Sequence, residues 1–189
     1  MEIKMDYYID ITCKSSKKKP LNITFNAMFH NLHCCLEDCD LSTVGFSYPK
    51  RNEIALGQVI RLHGSQADLV KILECQTFPI HSTDYILGKI RQIPENCQHI
   101  VIRRNRPMDN SRLRRIAKRE CLSEAELRKL KIKFLASGLS LPYVEIPSKS
   151  SGQKVYRRYY EISSPADAPT IGIFNTFGEG KNGTTVPDF

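Results

Sequence analysis

Between Arg103 and Arg119 the chain carries eight cationic side chains, Arg103, Arg104, Arg106, Arg112, Arg114, Arg115, Lys118 and Arg119, against a single acid, Asp109. Charge at this density repels itself unless a polyanion lies opposite, so the chemistry it suits is the binding of nucleic-acid phosphates. Leu113, Ile116 and Ala117 add an apolar side that needs a core, which a disordered basic arm or a fully solvated face would lack. On a helix, Arg112, Arg115 and Arg119 form one stripe with Arg114 and Lys118 beside it. That row is about 10 Å long at ~1.5 Å per residue, the scale of phosphates along one groove wall. The A-form major groove is deep and narrow, so a hairpin end suits such a helix better than a long duplex. If residues 103–106 are extended, Arg103 and Asn105 point one way and Arg104 and Arg106 the other. One pair can then read base edges while the other holds phosphates.

Other residues with reactive side chains are less explicit. His30 and His33 lie three apart on one predicted helix, where a histidine is more often structural than catalytic. With Cys34, Cys35 and Cys39 they form the one cluster worth weighing for zinc. No C-x-x-C occurs, and adjacent Cys34 and Cys35 face different ways, so no metal is assigned. The carboxylates are scattered, which speaks against two-metal cleavage. Pro147 to Gln153 (PSKSSGQ) offers hydroxyls and amides for a phosphate or ribose, or is a plain hairpin loop. Phe177 to Gly183 (FGEGKNG) lacks P-loop spacing and reads as a turn, with a backbone nest for a phosphate as the functional alternative.

The elements that must position these residues follow from periodicity. Tyr7 to Cys13 reads as a strand, and residues 22–38 as a helix with apolar positions at Phe25, Met28, Phe29, Leu32, Cys35 and Leu36, capped by Asn22. Val44 to Pro49 and Val59 to His63 read as strands, Ser65 caps a second helix, and Tyr85 to Ile93 reads as a further strand. Strand, helix, strand, strand, helix, strand is the ferredoxin-like pattern. Beyond a boundary at Pro94 and Glu95, His99 to Arg106 is a strand or an extended arm. Asn110 or Ser111 opens the arginine-rich helix, and Ser123 with Glu126 forms a capping box for the next. Tyr143 to Ile146, Val155 to Ile162 and Ile171 to Phe177 read as short strands.

The fold class expected is therefore α+β: an N-terminal ferredoxin-like (RRM-like) domain over 1–95, and a domain over 96–189 with the arginine-rich helix and short antiparallel strands. Charge supports the division. Residues 1–95 hold 11 Lys+Arg and 11 Asp+Glu, a difference of zero; residues 96–189 hold 17 and 9, a difference of +8. The odd count of seven cysteines and a polar, acidic N-terminus predict free thiols in a reducing cytoplasm. No apolar run approaches the ~20 residues of a membrane helix.

In order and spacing, several of these pieces resemble the CRISPR-repeat processing endoribonuclease of type I-F systems. They are YYIDI at the start, the helix Phe25 to His33, VGFSYP, Arg61-Leu62-His63, Arg112-Leu113-Arg114-Arg115, Leu122-Ser123-Glu124, Leu141-Pro142-Tyr143-Val144, Ser148 to Gln153 and Val186-Pro187-x-Phe189. The resemblance spans nearly the whole chain. It implies a basic half that grips a repeat hairpin and metal-independent cleavage at the hairpin's 3′ base. It puts the catalytic histidine at His33, not His30, the catalytic serine at Ser148 and a second at Ser150. The groove-binding cations become Arg112, Arg114, Arg115, Lys118 and Arg119. The base readers align with Arg103 and Asn105, Arg104 being the alternative to Arg103. The residue stacked on the stem is Tyr156 if one residue is inserted and Val155 if none is. Phe177 replaces a tyrosine near the active site.

RNA carries its own nucleophile, the 2′-hydroxyl, so the enzyme must only align it with the leaving 5′-oxygen and remove its proton. A neutral His33, favoured by nearby arginines, suits that task. The expected partners are the repeat hairpin, the mature guide RNA and the subunits of a type I-F surveillance complex, with a monomer when free and no cofactor. The rival reading is a non-catalytic RNA-hairpin-binding subunit of a ribonucleoprotein.

Overall fold

The computed structural model describes residues 5–106, 110–138, 141–147 and 155–189, with all their side chains except those at 110–112, 114 and 134–138. β1 (Tyr7–Cys13) alternates so that Ile9, Ile11 and Cys13 are buried. α1 (Leu21–Asp38) buries Phe25, Met28, Phe29, Leu32, Cys35 and Leu36, the stripe its periodicity predicts. It begins one residue earlier than expected. Pro20, not Asn22, occupies the cap position with φ −56° and ψ 153°, and no side chain caps the helix. A proline there costs nothing in hydrogen bonds, because a backbone N–H at a helix start has no partner anyway.

β2 (Gly45–Ser47), β3 (Val59–Gly64), α2 (Gln66–Glu74) and β4 (Tyr85–Leu87) complete the unit. The strands pair antiparallel in the order β2-β3-β1-β4, the ferredoxin-like arrangement. Ser65 caps α2 by accepting from the Asp68 N–H at 3.1 Å. The strand expected over Tyr85 to Ile93 is broken: Gly88 turns its N–H to the Asp10 carbonyl, and β5 (Arg91–Gln92) resumes pairing with β1.

The stretch His99 to Arg106 also divides. β6 (Gln98–Ile100) pairs with β10 (Val186–Asp188), whereas β7 (Ile102–Asn105) joins β9 (Val155–Ile162) and β8 (Tyr143–Pro147) in the order β7-β9-β8. Val101 is the switch between sheets, held by Ser163 through its own N–H and carbonyl. α3 (Asn110–Glu120) ends at Cys121, φ 49°, with the Leu122 N–H bonded to the Ala117 carbonyl, a left-handed stop. The capping box of α4 (Glu124–Gly138) forms as expected between Ser123 and Glu126. Ile171 to Phe177 is not a strand. Ile171 and Ile173, the residues its alternation would bury, are exposed, and only Phe174 bridges to Gly180.

One hydrophobic core runs from β1 and α1 through Phe46 and Tyr48 to Ile100, Ile102, Val144, Ile146, Tyr160 and Phe174. The class is α+β, as expected. On the sheet face away from Ile9 and Ile11, Arg61 clamps Asp10 with two hydrogen bonds of 2.6 and 3.0 Å and lies against the rings of Tyr8 and Phe189. Gly45 is required there, since a Cβ would collide with Val186 and Phe174. Among the described residues no helix is long and apolar enough to cross a membrane.

His63 lies fully buried on β3, its Nε2 2.8 Å from Ser47 Oγ. Burial, helped by Arg61 and His99, pulls its pKa from 6.5 down to about 3. Between those values the unfolded chain holds a proton that the folded one does not, so stability must fall as pH drops through that window. Denaturant unfolding between pH 7 and 4 is expected to show this loss, and His63→Gln to flatten it. An unchanged acid slope in the variant would refute the assignment.

Candidate active site

Helix α1 delivers His33 to the seam with the 174–180 segment. The Nδ1 atom lies 3.0 Å from the Thr176 carbonyl oxygen. A carbonyl only accepts, so Nδ1 carries the proton and the neutral ring keeps its lone pair on Nε2. Glu37, one turn on, brings Oε1 to 3.5 Å from Nε2, a contact that becomes an ion pair when the imidazole is protonated. The ring stacks on Phe177 with centroids 3.8 Å apart and planes inclined by 15°. Arg158 on β9 sets its guanidinium carbon 3.8 Å from the centre of the same ring. Two groups at that distance cannot share a face, so Phe177 is held between an imidazole and a guanidinium.

Beneath this stack lies a buried ion pair. Arg158 and Glu179 are each 5 % exposed, and the guanidinium donates twice to the carboxylate, with Nε to Oε1 at 2.6 Å. Burial works against the charge on Arg158, but the Glu179 hydrogen bond and its surroundings more than offset this and raise its pKa. Glu179 also accepts from Asn175 Nδ2 at 2.7 Å. Asn175 Oδ1 in turn accepts from the Phe177 and Glu179 N–H groups, closing a tight turn. Gly178 sits in that turn at φ 68° with its Cα against the Phe46 ring, so both conformation and space exclude a side chain. The FGEGKNG stretch is accordingly a turn that presents Thr176 and Phe177 to α1.

Sequence reasoning named His33 and Phe177 but missed Arg158, Asn175, Thr176, Glu179 and Glu37. A signal was available for two of them. Period-two alternation in VYRRYYEI puts Arg158 on the inward face with Tyr156 and Tyr160, and an inward charge requires a partner. Glu37 stands at helical spacing from His33.

The β7-β9-β8 sheet sorts the other candidates. Arg103 pairs with Glu161 at 2.8 Å, and Asn105 Nδ2 lies 3.4 Å from the same carboxylate, so these two share a face. That contact draws the Glu161 carboxyl below its ordinary range. Arg104 points the other way, 5.8 Å from the Tyr156 ring, and burial beside Arg158 and Arg106 lowers its pKa. Val155 is exposed at the start of β9, while Tyr156 packs against the core. On α3, Leu113 is buried and Arg115, Lys118 and Arg119 are exposed. Arg112 and Arg114 belong to the same helix, but their side chains lie outside the described residues, as do Ser148 and Ser150. Residues 148–154 lie in the chain between β8 and β9, whose described ends pair at Pro147 and Val155. His30 approaches Cys34 at 3.9 Å. Among the described residues no three His, Cys, Asp or Glu side chains gather as metal ligands.

Comparison with known proteins gives this arrangement its class. The family model of the CRISPR-associated protein Cas_Csy4 matches residues 8–189, and the chain belongs to that family. A curated relative, the CRISPR-associated endonuclease Cas6/Csy4 of Pseudomonas aeruginosa (strain UCBPP-PA14), is 29% identical over 185 residues, which cover 95% of this chain and 97% of that one. A crystal structure of the CRISPR RNA processing endoribonuclease Cas6b is 14% identical over 97% of this chain and 100% of its own, with a TM-score of 0.34, too slight a likeness to carry weight. The resemblance drawn from the motifs is borne out at the level of family.

Gly178→Ala should displace the turn that carries Thr176 and Phe177. The variant is expected to lose more than about 1 kcal/mol of stability, measured by denaturant unfolding; wild-type stability would show that the turn tolerates a side chain.

Proposed function

We propose that this protein is an endoribonuclease that binds a CRISPR repeat hairpin and cuts it at the 3′ base without a metal ion. The observation that carries the reading is the hydrogen bond from His33 Nδ1 to Thr176, which in the neutral ring puts the lone pair on Nε2, where a general base needs it. Nε2 takes the proton of the 2′-hydroxyl, the 2′-oxygen attacks the adjacent phosphorus, the bond to the 5′-oxygen breaks and that oxygen takes up a proton from water, and the imidazolium then returns its proton to solvent. The products are a 2′,3′-cyclic phosphate and a 5′-hydroxyl end. Glu37 stabilises the imidazolium formed in the first step. Ser148 is the residue assigned to hold the ribose, and Ser150 is the second serine of the site. The family membership and the name of the 29%-identical relative support an RNA-processing nuclease.

Residues 96–189 form the hairpin-gripping domain in this reading, and residues 1–95 the domain that brings His33. Arg112, Arg114, Arg115, Lys118 and Arg119 lie along the groove. Arg103 and Asn105 read bases at the stem foot, a choice over Arg104 supported by their common outward face and shared Glu161. Phosphate contacts survive cleavage, so the protein, monomeric when free, stays on the guide RNA in the cytoplasm and joins a type I-F surveillance complex.

A labelled repeat hairpin incubated in chelator is expected to be cut completely, and not at all when the 2′-hydroxyl at the cleavage site is removed; a magnesium requirement would defeat the mechanism. His33→Ala should bind the hairpin and fail to cut it, whereas full cutting would favour a binding-only role. Arg115→Ala or Arg119→Ala should each reduce the slope of log K against log salt by ~0.7–0.9, measured by hairpin titration; an unchanged slope would remove that residue from the groove.

A further inference from the structure

The buried Arg158–Glu179 pair lies outside every role assigned so far. Its two charges are too deeply placed to meet RNA, each being 5 % exposed. Stability alone explains it poorly, because a well-packed apolar pair in the same space commonly does as well as a buried ion pair. Its connections are more specific. Glu179 grips the guanidinium that covers one face of Phe177, and through Asn175 it grips the turn that carries Thr176. Those two residues supply the contacts that set the His33 ring, the stack and the Nδ1 hydrogen bond. The loop itself is anchored to the scaffold by the Phe46 N–H, which donates to the Gly178 carbonyl.

We propose that Glu179 is a positioning residue for His33, acting through Arg158, Phe177 and the Asn175–Glu179 turn to hold the imidazole in one orientation and one tautomer. This rests on the reading of His33 as the general base. The carboxylate has about four strong acceptor directions, and it spends three of them on Arg158 and Asn175. A glutamine in its place offers one carbonyl oxygen, and its amide N–H groups would face the donors of Arg158 and Asn175. The turn must then shift, and a displacement of about 1 Å at a proton-transfer site is enough to slow the reaction on the order of 100-fold.

The test compares Glu179→Gln, His33→Ala and the double variant with the wild-type full chain on a repeat hairpin, with a 2′-deoxy hairpin for binding. Glu179→Gln is expected to lower single-turnover cleavage by roughly 10- to 100-fold while hairpin affinity stays within about twofold. The double variant should be no slower than His33→Ala alone, because a residue that acts only through His33 has nothing left to position. A further loss in the double variant would overturn the proposal, as would wild-type cleavage by Glu179→Gln when His33→Ala is inactive. Full cleavage by His33→Ala would instead sink the general-base reading. Nitrogen-15 NMR of the wild-type imidazole provides a measurement that needs no variant to fold. The Nδ1–H tautomer is expected for His33, and a predominant Nε2–H tautomer would overturn the positioning role.

Discussion

The ion pair between Arg158 and Glu179 is the constraint on which the centre of this molecule depends. Two opposite charges buried side by side must be matched bond for bond, since an unmatched one costs several kcal/mol. That requirement fixes the relative placement of β9 and the 174–180 turn, whose paired residues stand 21 positions apart in the chain. The turn then meets α1 through the Thr176 carbonyl and the Phe177 ring. A strand, a turn and a helix from different parts of the sequence are thereby brought to one imidazole. The aromatic ring transmits the constraint because its two faces accept different partners, a guanidinium on one and an imidazole on the other.

The same economy governs the second face of the ferredoxin-like sheet. Arg61 and Asp10 form a two-bonded pair there, roofed by Tyr8 and Phe189, and Arg51 is held to Asp188 by two hydrogen bonds of 2.7 Å. The chain end from Val186 to Phe189 is thus docked by charge as well as by apolar contact. β3 is buried on both faces as a result, which is why His63, on a strand whose sequence alternates, finds no water. A half-neutral, half-basic chain can fold this way because its buried charges are matched in pairs, while Arg115, Lys118 and Arg119 on α3 stay at the surface.

Much of the architecture was legible before any coordinates. The stripe of Phe25, Met28, Phe29, Leu32 and Leu36 marks α1, the alternation of Tyr7 to Cys13 marks β1, and Ser65 and Ser123 mark helix starts through local hydrogen bonds. Each signal lies within a few residues, where 3.6- and 2-residue periods are set by backbone geometry. The misreadings share an opposite cause. The break at Gly88 answers to the Asp10 carbonyl, the break at Val101 to Ser163, and the failure of Ile171 to Phe177 as a strand to the neighbours its backbone finds elsewhere. The cap of α1 is a separate case: Pro20, not Asn22, occupies it, a local choice that periodicity does not encode.

The candidate site divides along the same line. Residue types and spacing determined the basic stretch from Arg103 to Arg119, the opposite faces of Arg103 and Arg104, the helical address of His33, and the family. These depend on composition and on repeat geometry, which a linear string contains. Only the tertiary structure decided that Thr176 meets His33 across 143 residues and that Phe177 is enclosed by Arg158. It also decided that Glu179, an unremarked acid in a glycine-rich turn, is buried. Those outcomes require distant segments to close on one another, and the free energy that selects the closure belongs to the packed whole, not to any window of sequence.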